Sequence, residues 1–502
     1  MKHMIKISIL SALLLFALLF LISCGNSTQK ENKSPDAGKA ESAEITPEET
    51  DTKNLSDNIP ALDFGGYEYR VLVGEFSIFV NDLYYPENQI GEVLSDAFYA
   101  RNAKIEERFN VKFKESTIDL FQLLATIRNE VRAGVDAYDM YMQIDRDAYT
   151  ASAEGLLYPI SDLPHIDLSQ PYWCRLPNRQ LTVGGKQYVA FSDEMITFFE
   201  ATALIYFNKR QVTELALEDL YGLVRSGNWT QDKFYEYAKA AIKDLDGDGE
   251  MTDKDNFGIA SDENLIYQCF WTSTGKYIVE KDNEDIPYFA VPGTQIFFDV
   301  ASRVIDEFTS VKGIYMEGYK PNGLPSYGGN GTPARIAFFK DGHSLFNIGQ
   351  IPEMIQLRDM EDDFGVLPFP KYKADQPQYY TRVCGGFPFV IPTTNQKPEI
   401  AGALMEAMAC ETRNTVIPAY YESALKTKYS RDADTAEMFD LIYDTRVYDL
   451  GDTIWCYPIR DDYTKIFSSG KDTFASATEK NTNKYNNEIQ KMVDGILNNN
   501  KR

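Results

Sequence analysis

The stretch YDMYMQIDRDAYTASAEGLLYPIS, Tyr138–Ser161, decides the fold. Its first seven residues, Tyr138–Ile144, predict a buried strand, and Ser152–Ser161 ends a short helix. Upstream, Asp96–Lys114 predicts a helix followed by a strand, and Ser116–Val135 predicts a second, amphipathic helix. Because strands alternate with helices, the sequence predicts α/β lobes with mixed or parallel sheets.

Length and composition narrow the possible functions. A chain of 502 residues is too long for one core and suits two or more lobes. The formal net charge of −25, with no basic run longer than two residues, argues against nucleic-acid binding. No glycine-rich phosphate loop is present, so no organic cofactor is predicted. The six cysteines are widely spaced and the three histidines lie outside catalytic motifs, which disfavours zinc and histidine-based catalysis.

The N-terminus predicts export and lipid anchoring. Two lysines in the first six residues precede the apolar run Ile7–Ile22, as in an export signal covering residues 1–23. The ending Leu-Ile-Ser-Cys, Leu21–Cys24, resembles a bacterial lipobox, in which Cys24 is lipidated and becomes the first mature residue. A short transmembrane anchor is the alternative. We therefore expect an exported protein held at the outer face of the cell membrane by lipid alone.

A tether is predicted to separate this anchor from the folded body. Residues 24–60 contain no aromatic side chain and are rich in polar residues, so they bury too little apolar surface to fold. Order is predicted to begin at LDFGGYEYRVLV, Leu62–Val73, where tyrosines and valines alternate with other residues as they do in a strand.

Further stretches, taken in order, indicate a family. They are the quoted segment extended to Leu163, then LTVGGKQYVAF, ALIYFNKR, GNWTQDKFYEYAKAAIKDLDGDG, IAFFKDGHSLFNIG, FGVLPFPKY and GGFPFVIPTTNQKPEIAGALMEAMA. Together they resemble the extracellular solute-binding lipoproteins of ABC importers, in the family 1 group related to maltose-binding protein. The resemblance covers nearly the whole body, about residues 64–497.

The resemblance implies a clamp of two α/β lobes, as in periplasmic binding proteins, with a ligand cleft between them. It divides the body into an N-terminal lobe, 61–195 and about 390–425, and a C-terminal lobe, 196–389 and about 426–502. Crossovers are expected near Ser192–Ala203 and Cys384–Val390, where Gly385 and Gly386 suit a hinge. The resemblance further implies that the protein is a monomer and not an enzyme. The protein is expected to deliver a carbohydrate, more specifically an oligosaccharide, to the permease subunits of an importer.

Cleft residues follow from the same resemblance, because sugar sites of the family combine aromatic rings with carboxylates and amides. The implied ligand-binding residues are Asp145, Arg146, Glu200, Trp271 with Phe270 as its alternative, Gln350 and Trp455. Gln350 stands where relatives carry an aromatic residue, which puts a maltodextrin ligand in doubt. For each aromatic residue the alternative is a packed core ring, and Trp173 and Trp229 are assigned to the core.

The loop DLDGDGEMTDKD, Asp244–Asp255, predicts a calcium site. Its carboxylates and one carbonyl match positions of an EF-hand loop, and the implied ligands are Asp244, Asp246, Asp248, the Glu250 carbonyl and Asp255, with Thr252 acting through water. Gly249 occupies the sharp turn. A helix precedes the loop and a strand follows it, so we expect one structural site. An acidic turn without metal is the alternative.

Two other functions stay open at this point. The chain could bind a peptide or another polar solute. It could also be an extracellular glycoside hydrolase that uses two carboxylates, although no paired-carboxylate motif is recognisable.

Overall fold

A computed structural model describes residues 54–75, 89, 91, 93–262, 265–316, 323–329, 331–420 and 433–499. The predicted signal peptide, Cys24 and the tether up to residue 53 lie outside the described residues. The last part of the predicted tether is tied to the body: the backbone N–H of Leu55 donates to Asn414 Oδ1 at 2.8 Å. Arg108 Nη2 also donates to Asp57 Oδ1 at 2.9 Å.

Short strands alternate with helices along the described chain. The strands are β1 Tyr67–Glu75, β2 Val111–Asp119, β3 Met140–Met142, β4 Ala203–Asn208, β5 Phe257–Ser261, β6 Val279–Lys281, β7 Pro287–Phe289, β8 Ile314–Met316, β9 Ser344–Gln350, β10 Phe364–Leu367, β11 Thr381–Arg382, β12 Phe389–Val390 and β13 Arg446–Val447.

The helices are α1 Val93–Phe109, α2 Leu120–Arg132, α3 Asp145–Ala153, α4 Arg175–Leu181, α5 Ile196–Glu200, α6 Lys209–Glu214, α7 Leu220–Arg225, α8 Gln231–Ala241, α9 Ile266–Thr272, α10 Gln295–Ser310, α11 Thr332–Lys340, α12 Met354–Leu357, α13 Pro398–Asn414, α14 Val416–Pro418, α15 Ala433–Asp444, α16 Asp461–Ser469 and α17 Phe474–Asn499. No helix in the described part of the chain combines the length and the apolar character needed to cross a bilayer.

Two sheets, one in each lobe, organise the described residues. The first lobe has the strand order β12-β3-β1-β2, in which β1 pairs in parallel with β2 and β3. The second has the order β10-β4-β9-β5-β8, with β4 antiparallel and β5 parallel to β9. The predicted mixed α/β architecture is confirmed.

The connections between the sheets run side by side. The chain leaves the first sheet after β3, enters the second at β4, and returns to the first at β12. Thr202 and Val383 form a bridge between the two connections, and the Cys384 N–H donates to the Ala201 carbonyl at 2.9 Å. These segments overlap the predicted crossovers, while the lobe boundaries themselves stay a prediction.

Three predicted elements differ in their ends. The strand predicted over Tyr138–Ile144 spans only Met140–Met142, as β3. The strand β1 begins at Tyr67, later than Leu62, because Gly65 and Gly66 turn the backbone through positive φ angles of 66° and 77°. The helix predicted over Ser116–Val135 begins at Leu120, because residues 116–119 pair with β1. Asp119 then caps the helix by accepting from the Phe121 N–H at 2.9 Å.

The five cysteines in the described residues are free thiols. Four of them are buried, and Cys384 is half-buried. The buried thiols pack as small side chains among the core residues. Trp173 and Trp229 lie in the core, also as predicted.

Candidate functional site

A cavity of about 660 Å³ opens between segments that the predicted boundaries assign to different lobes. One wall comes from the segment around α4, and the other comes from the β6–β7 hairpin and residues near β11 and β13. The cavity is lined by Leu168, Arg175, Leu176, Asn178, Arg179, Gln180, Thr182, Gln187, Tyr277, Glu280, Lys281, Asp282, Asn283, Asp285, Gln378, Tyr380, Val447 and Tyr448.

Buried hydrogen bonds fix the α4 wall to the first lobe. Glu406, on α13, accepts from the Tyr172 hydroxyl and from Trp173 Nε1, the latter at 3.0 Å. Asn178 pairs with the Phe191 backbone in both directions, at 2.9 and 2.7 Å. The exposed face of α4 is thus held at a defined position on the cavity.

The hairpin wall meets the end of α4 through a small polar cluster. Lys281 Nζ donates to the Arg179 carbonyl and, at 2.8 Å, to Thr182 Oγ1. Asp285 accepts from Thr182 Oγ1 at 2.9 Å and from the Gly185 N–H at 3.1 Å. Burial lowers the pKa of Lys281 although Asp285 opposes this shift. The cluster joins the two walls at one end of the cavity.

Three tyrosines supply the aromatic part of the lining. Tyr380 lies against Gly275, where a side-chain Cβ would come within 2.4 Å of the ring, so this approach requires glycine. Burial raises the pKa of Tyr380, so its hydroxyl stays a proton donor. Tyr277 is also partly exposed, so these two rings offer apolar surface beside many hydrogen-bonding groups, an arrangement suited to an amphipathic ring-shaped solute. Tyr448 is fully buried and packs against Phe191 and Phe198.

Asp145 stands behind this lining. Its Oδ2 accepts from the Tyr448 hydroxyl at 2.6 Å and from the Gly386 N–H at 2.9 Å. Its own N–H donates to the Gly386 carbonyl at 3.0 Å. Burial raises the pKa of Asp145, and the Tyr448 hydrogen bond opposes that rise. Asp145 therefore joins the first lobe to the second crossover and orients Tyr448.

Arg146 and Trp455 lie near Asp145 but outside the lining. The Arg146 guanidinium is 4.9 Å from the centre of the exposed Tyr457 ring. Trp455 is buried and meets Tyr149 edge to face at 6.5 Å. The structure thus brings three predicted residues into one neighbourhood at the start of α3.

Glu200 and Gln350 lie at the first crossover. Glu200 is buried, and its Oε1 accepts from the Tyr420 hydroxyl at 2.9 Å. Gln350 Nε2 donates to the Ala201 carbonyl at 3.3 Å. These contacts hold the connection between the lobes.

Phe270 and Trp271 are packed within the second lobe. The Trp271 ring lies 5.0 Å from Tyr267, 6.1 Å from Phe297 and 6.3 Å from Tyr463. Phe270 stacks on Tyr235 at 5.3 Å. This packing matches the core alternative stated for these rings.

None of the seven predicted ligand-binding residues belongs to the lining of this cavity, and their contact with a ligand stays a prediction. Sequence reasoning missed the lining tyrosines and the two arginines of α4. One signal was available for Tyr277, because it ends IYQCFWTSTGKY, the segment from which Trp271 was chosen. Tyr380 and Tyr448 carried no such signal, because distant chain segments bring them there.

The acidic loop lies apart from the residues that line the cavity. It joins α8 to β5, as predicted, and Lys243 bridges to Asn256 at its base. Carboxylate oxygens of Asp244, Asp246 and Asp255 lie within 4.8 Å of one another. Asp248 is not in this group, and its Oδ1 accepts from the Glu250 N–H at 2.8 Å. Three converging carboxylates form a donor set that suits a hard divalent cation.

Comparison with known proteins rests on structure. No family model matches the sequence, and no curated protein matches it closely enough to count. A cyclo/maltodextrin-binding protein complexed with maltotetraose matches with a TM-score of 0.54 and 15% identity, covering 85% of this chain and 96% of that one.

Two further structures agree. RafE from Streptococcus pneumoniae matches with a TM-score of 0.53 and 18% identity, covering 85% of this chain and 98% of that one. The galacto-N-biose-/lacto-N-biose I-binding protein of an ABC transporter from Bifidobacterium longum matches with a TM-score of 0.53 and 13% identity, covering 87% and 98%. This chain therefore has the two-lobed fold of these matched structures, as the resemblance implied.

Proposed function

We propose that this protein captures a carbohydrate, an oligosaccharide, in the cavity between its lobes and delivers it to the permease subunits of an ABC importer. The observation that carries the proposal is this cavity, in which Tyr277, Tyr380 and Tyr448 stand among many polar side chains. The matched structures support it, because the cyclo/maltodextrin-binding protein holds maltotetraose and the Bifidobacterium longum protein holds lacto-N-biose.

Physical chemistry links this lining to a sugar. A sugar ring has C–H faces that pack on aromatic rings and a rim of hydroxyls that needs hydrogen bonds. Enclosure between two lobes desolvates both faces of the ring, and closure about the crossovers would signal occupancy to a membrane partner. The function is binding without chemical change, and the protein acts as a monomer.

The test is a calorimetric screen of oligosaccharides with a matched pair of variants. Tyr380→Ala should weaken binding about tenfold, equivalent to about 1.4 kcal/mol. Tyr288→Ala should leave it unchanged, because Tyr288 is exposed on the β6–β7 hairpin and lies outside the lining. Binding of peptides instead of sugars would favour the polar-solute alternative. Cleavage of the bound sugar would show a glycoside hydrolase.

Anchoring through Cys24 belongs to the same proposal, with the protein exported and held at the outer membrane face. Its support is the lipobox-like ending before Cys24. Cys24→Ala should release the protein from membranes after a carbonate wash, whereas Ser27→Ala should not. Retention of the Cys24→Ala protein would refute lipid anchoring.

Calcium binding by the acidic loop is a separate structural proposal. The oxygens of Asp244, Asp246 and Asp255 would hold the ion, with Asp248 and the Glu250 carbonyl as further ligands. Calcium at a hundred times its Kd would stabilise the fold by about 2.7 kcal/mol. Asp246→Ala should abolish the rise in melting temperature, and Glu236→Gln on α8 should preserve it. An unchanged calcium response in Asp246→Ala would refute this site.

A further inference from the structure

We propose that the cavity selects a saccharide bearing a carboxylate, such as an oligosaccharide that contains a uronic acid. The inference rests on the proposed function and names the class of sugar. Its basis is the pair Arg175 and Arg179, which both line the cavity from α4.

The two arginines are placed to act together. They are four residues apart on one helix, so they share a face and their guanidinium groups can approach the same ligand. Both are exposed. Among the described residues, neither guanidinium forms an ion pair or a hydrogen bond, so their donors are available to a ligand.

Acidic residues of the same lining are already engaged. Asp285 pairs with Lys281 and accepts from Thr182 and Gly185. Asp282 Oδ1 accepts from the N–H groups of residues 284 and 286, each at 2.9 Å. Glu280 Oε1 accepts from the Tyr277 N–H at 3.3 Å. The hairpin uses its carboxylates to hold its own shape.

The lack of ion-pair partners for Arg175 and Arg179 among the described residues contrasts with other arginines of this acidic chain. With 75 acidic and 50 basic residues, most arginines can find a carboxylate. Arg335 and Arg382, for example, are buried and paired with Glu353 and Asp452. Arg175 and Arg179 are instead exposed on the cavity wall and have no carboxylate partner among the described residues, so an anionic group of a ligand can pair with them.

Guanidinium chemistry favours a carboxylate as that charge. The planar fork of arginine matches the two oxygens of a carboxylate and can donate two parallel hydrogen bonds. A uronic acid joins this group to a ring that the lining tyrosines can contact. Sulfated sugars carry the same charge on a non-planar group, so they are included in the test as a separate arm.

The experiment uses the full mature protein and pairs of ligands that differ only in charge. Oligosaccharides of glucuronic, galacturonic and mannuronic acid are titrated calorimetrically beside their neutral methyl esters and beside sulfated oligosaccharides. We expect at least one acid to bind tenfold or more tightly than its ester, with an affinity that falls as salt is added.

Variants of the two arginines test whether they cause the preference for the acid over its ester. Arg175→Gln and Arg179→Gln should each reduce affinity for the acid about tenfold and leave affinity for the ester unchanged. Arg132→Gln, an exposed site on α2 outside the lining, should change neither. Because the substituted side chains are exposed, the variants should keep the melting temperature of the parent protein.

The outcomes separate this inference from the proposed function. Tight binding of a neutral oligosaccharide with no preference for acids would overturn the inference and leave the proposed function standing. Preference for a sulfated sugar would also overturn it. If neither acidic nor neutral sugars bind, both proposals fail.

Discussion

Asp255 and Glu194 are both fully buried carboxyl groups, yet the protein treats them in opposite ways. Asp255 closes the acidic loop and accepts from the N–H groups of Leu245 and Thr252, at 2.8 and 2.7 Å. Glu194 lies in the first crossover, and neither of its oxygens has a hydrogen-bond partner among the described residues.

The pKa values of the two groups diverge accordingly. Burial acts to raise the pKa of Asp255, but hydrogen bonds from Thr252 and Leu245 outweigh it and lower the pKa. Burial raises the pKa of Glu194 to about 8, and the charge of Arg101 offsets this only in part. Asp255 lies closer to the surface and has donors, so it stays charged, whereas Glu194 lies deep in the interior without donors and is held neutral.

The largest expected effect is the pH dependence caused by Glu194. Its pKa is near 4.5 when unfolded and about 8 when folded, so the folded state holds the proton more strongly. Stability should therefore fall as pH rises from about 4.5 to 8, by about 4 kcal/mol at one pKa unit per 1.36 kcal/mol. Urea denaturation at several pH values measures this.

Glu194→Gln checks the cause. The amide cannot ionise, so the variant should lose this downward slope and be more stable than the parent at pH 8. Glu284→Gln, at the exposed tip of the hairpin, removes the same charge without the burial and should keep the slope. A Glu194→Gln protein with the parental slope would show that Glu194 has other partners in solution.

The second effect is the loss of charge at Asp255. Asp255→Asn replaces an acceptor of two backbone N–H groups with an amide that can satisfy them only in part. We expect a loss of about 2 kcal/mol, even without calcium, because hydrogen bonds to a charged group are the stronger ones. The same contribution should disappear in the parent as pH falls through the lowered pKa of Asp255. Equal stability of variant and parent in chelator would contradict this account.

The contrast between Asp255 and Glu194 also separates what sequence can predict from what it cannot. The alternation of strands with helices, and the helix–loop–strand around Asp244–Asp255, follow from local periodicity and turn residues, and both were predicted correctly. The loop places its own donors beside its own carboxylates, so the sequence alone indicated their grouping. Glu194 gave no such signal, because its burial depends on packing between distant segments.

The cavity, like the burial of Glu194, depends on packing between distant segments of the chain. Its walls combine α4, the β6–β7 hairpin and Tyr448, which are far apart in the chain. The resemblance led to Asp145, which accepts a hydrogen bond from Tyr448 of the lining, and to Trp271, which packs among other rings. The contact of Asp145 with a ligand stays a prediction, and which side chains face the cavity depends on tertiary structure.

The smallest expected effect is that of Asp248→Asn, which tests whether Asp248 differs from the three grouped carboxylates of the acidic loop. Asp248 caps its own turn, and Asp248→Asn keeps the Oδ1 acceptor for the Glu250 N–H. In chelator this variant should differ from the parent by less than about 0.5 kcal/mol, as surface substitutions usually do. With calcium the expectation changes, because an EF-hand loop uses this position as a ligand. The calcium-induced rise in melting temperature should then be smaller in Asp248→Asn than in the parent, and absent in Asp246→Ala. A full calcium response in Asp248→Asn would mean that the ion is held by Asp244, Asp246 and Asp255 alone, as these carboxylates are grouped without metal.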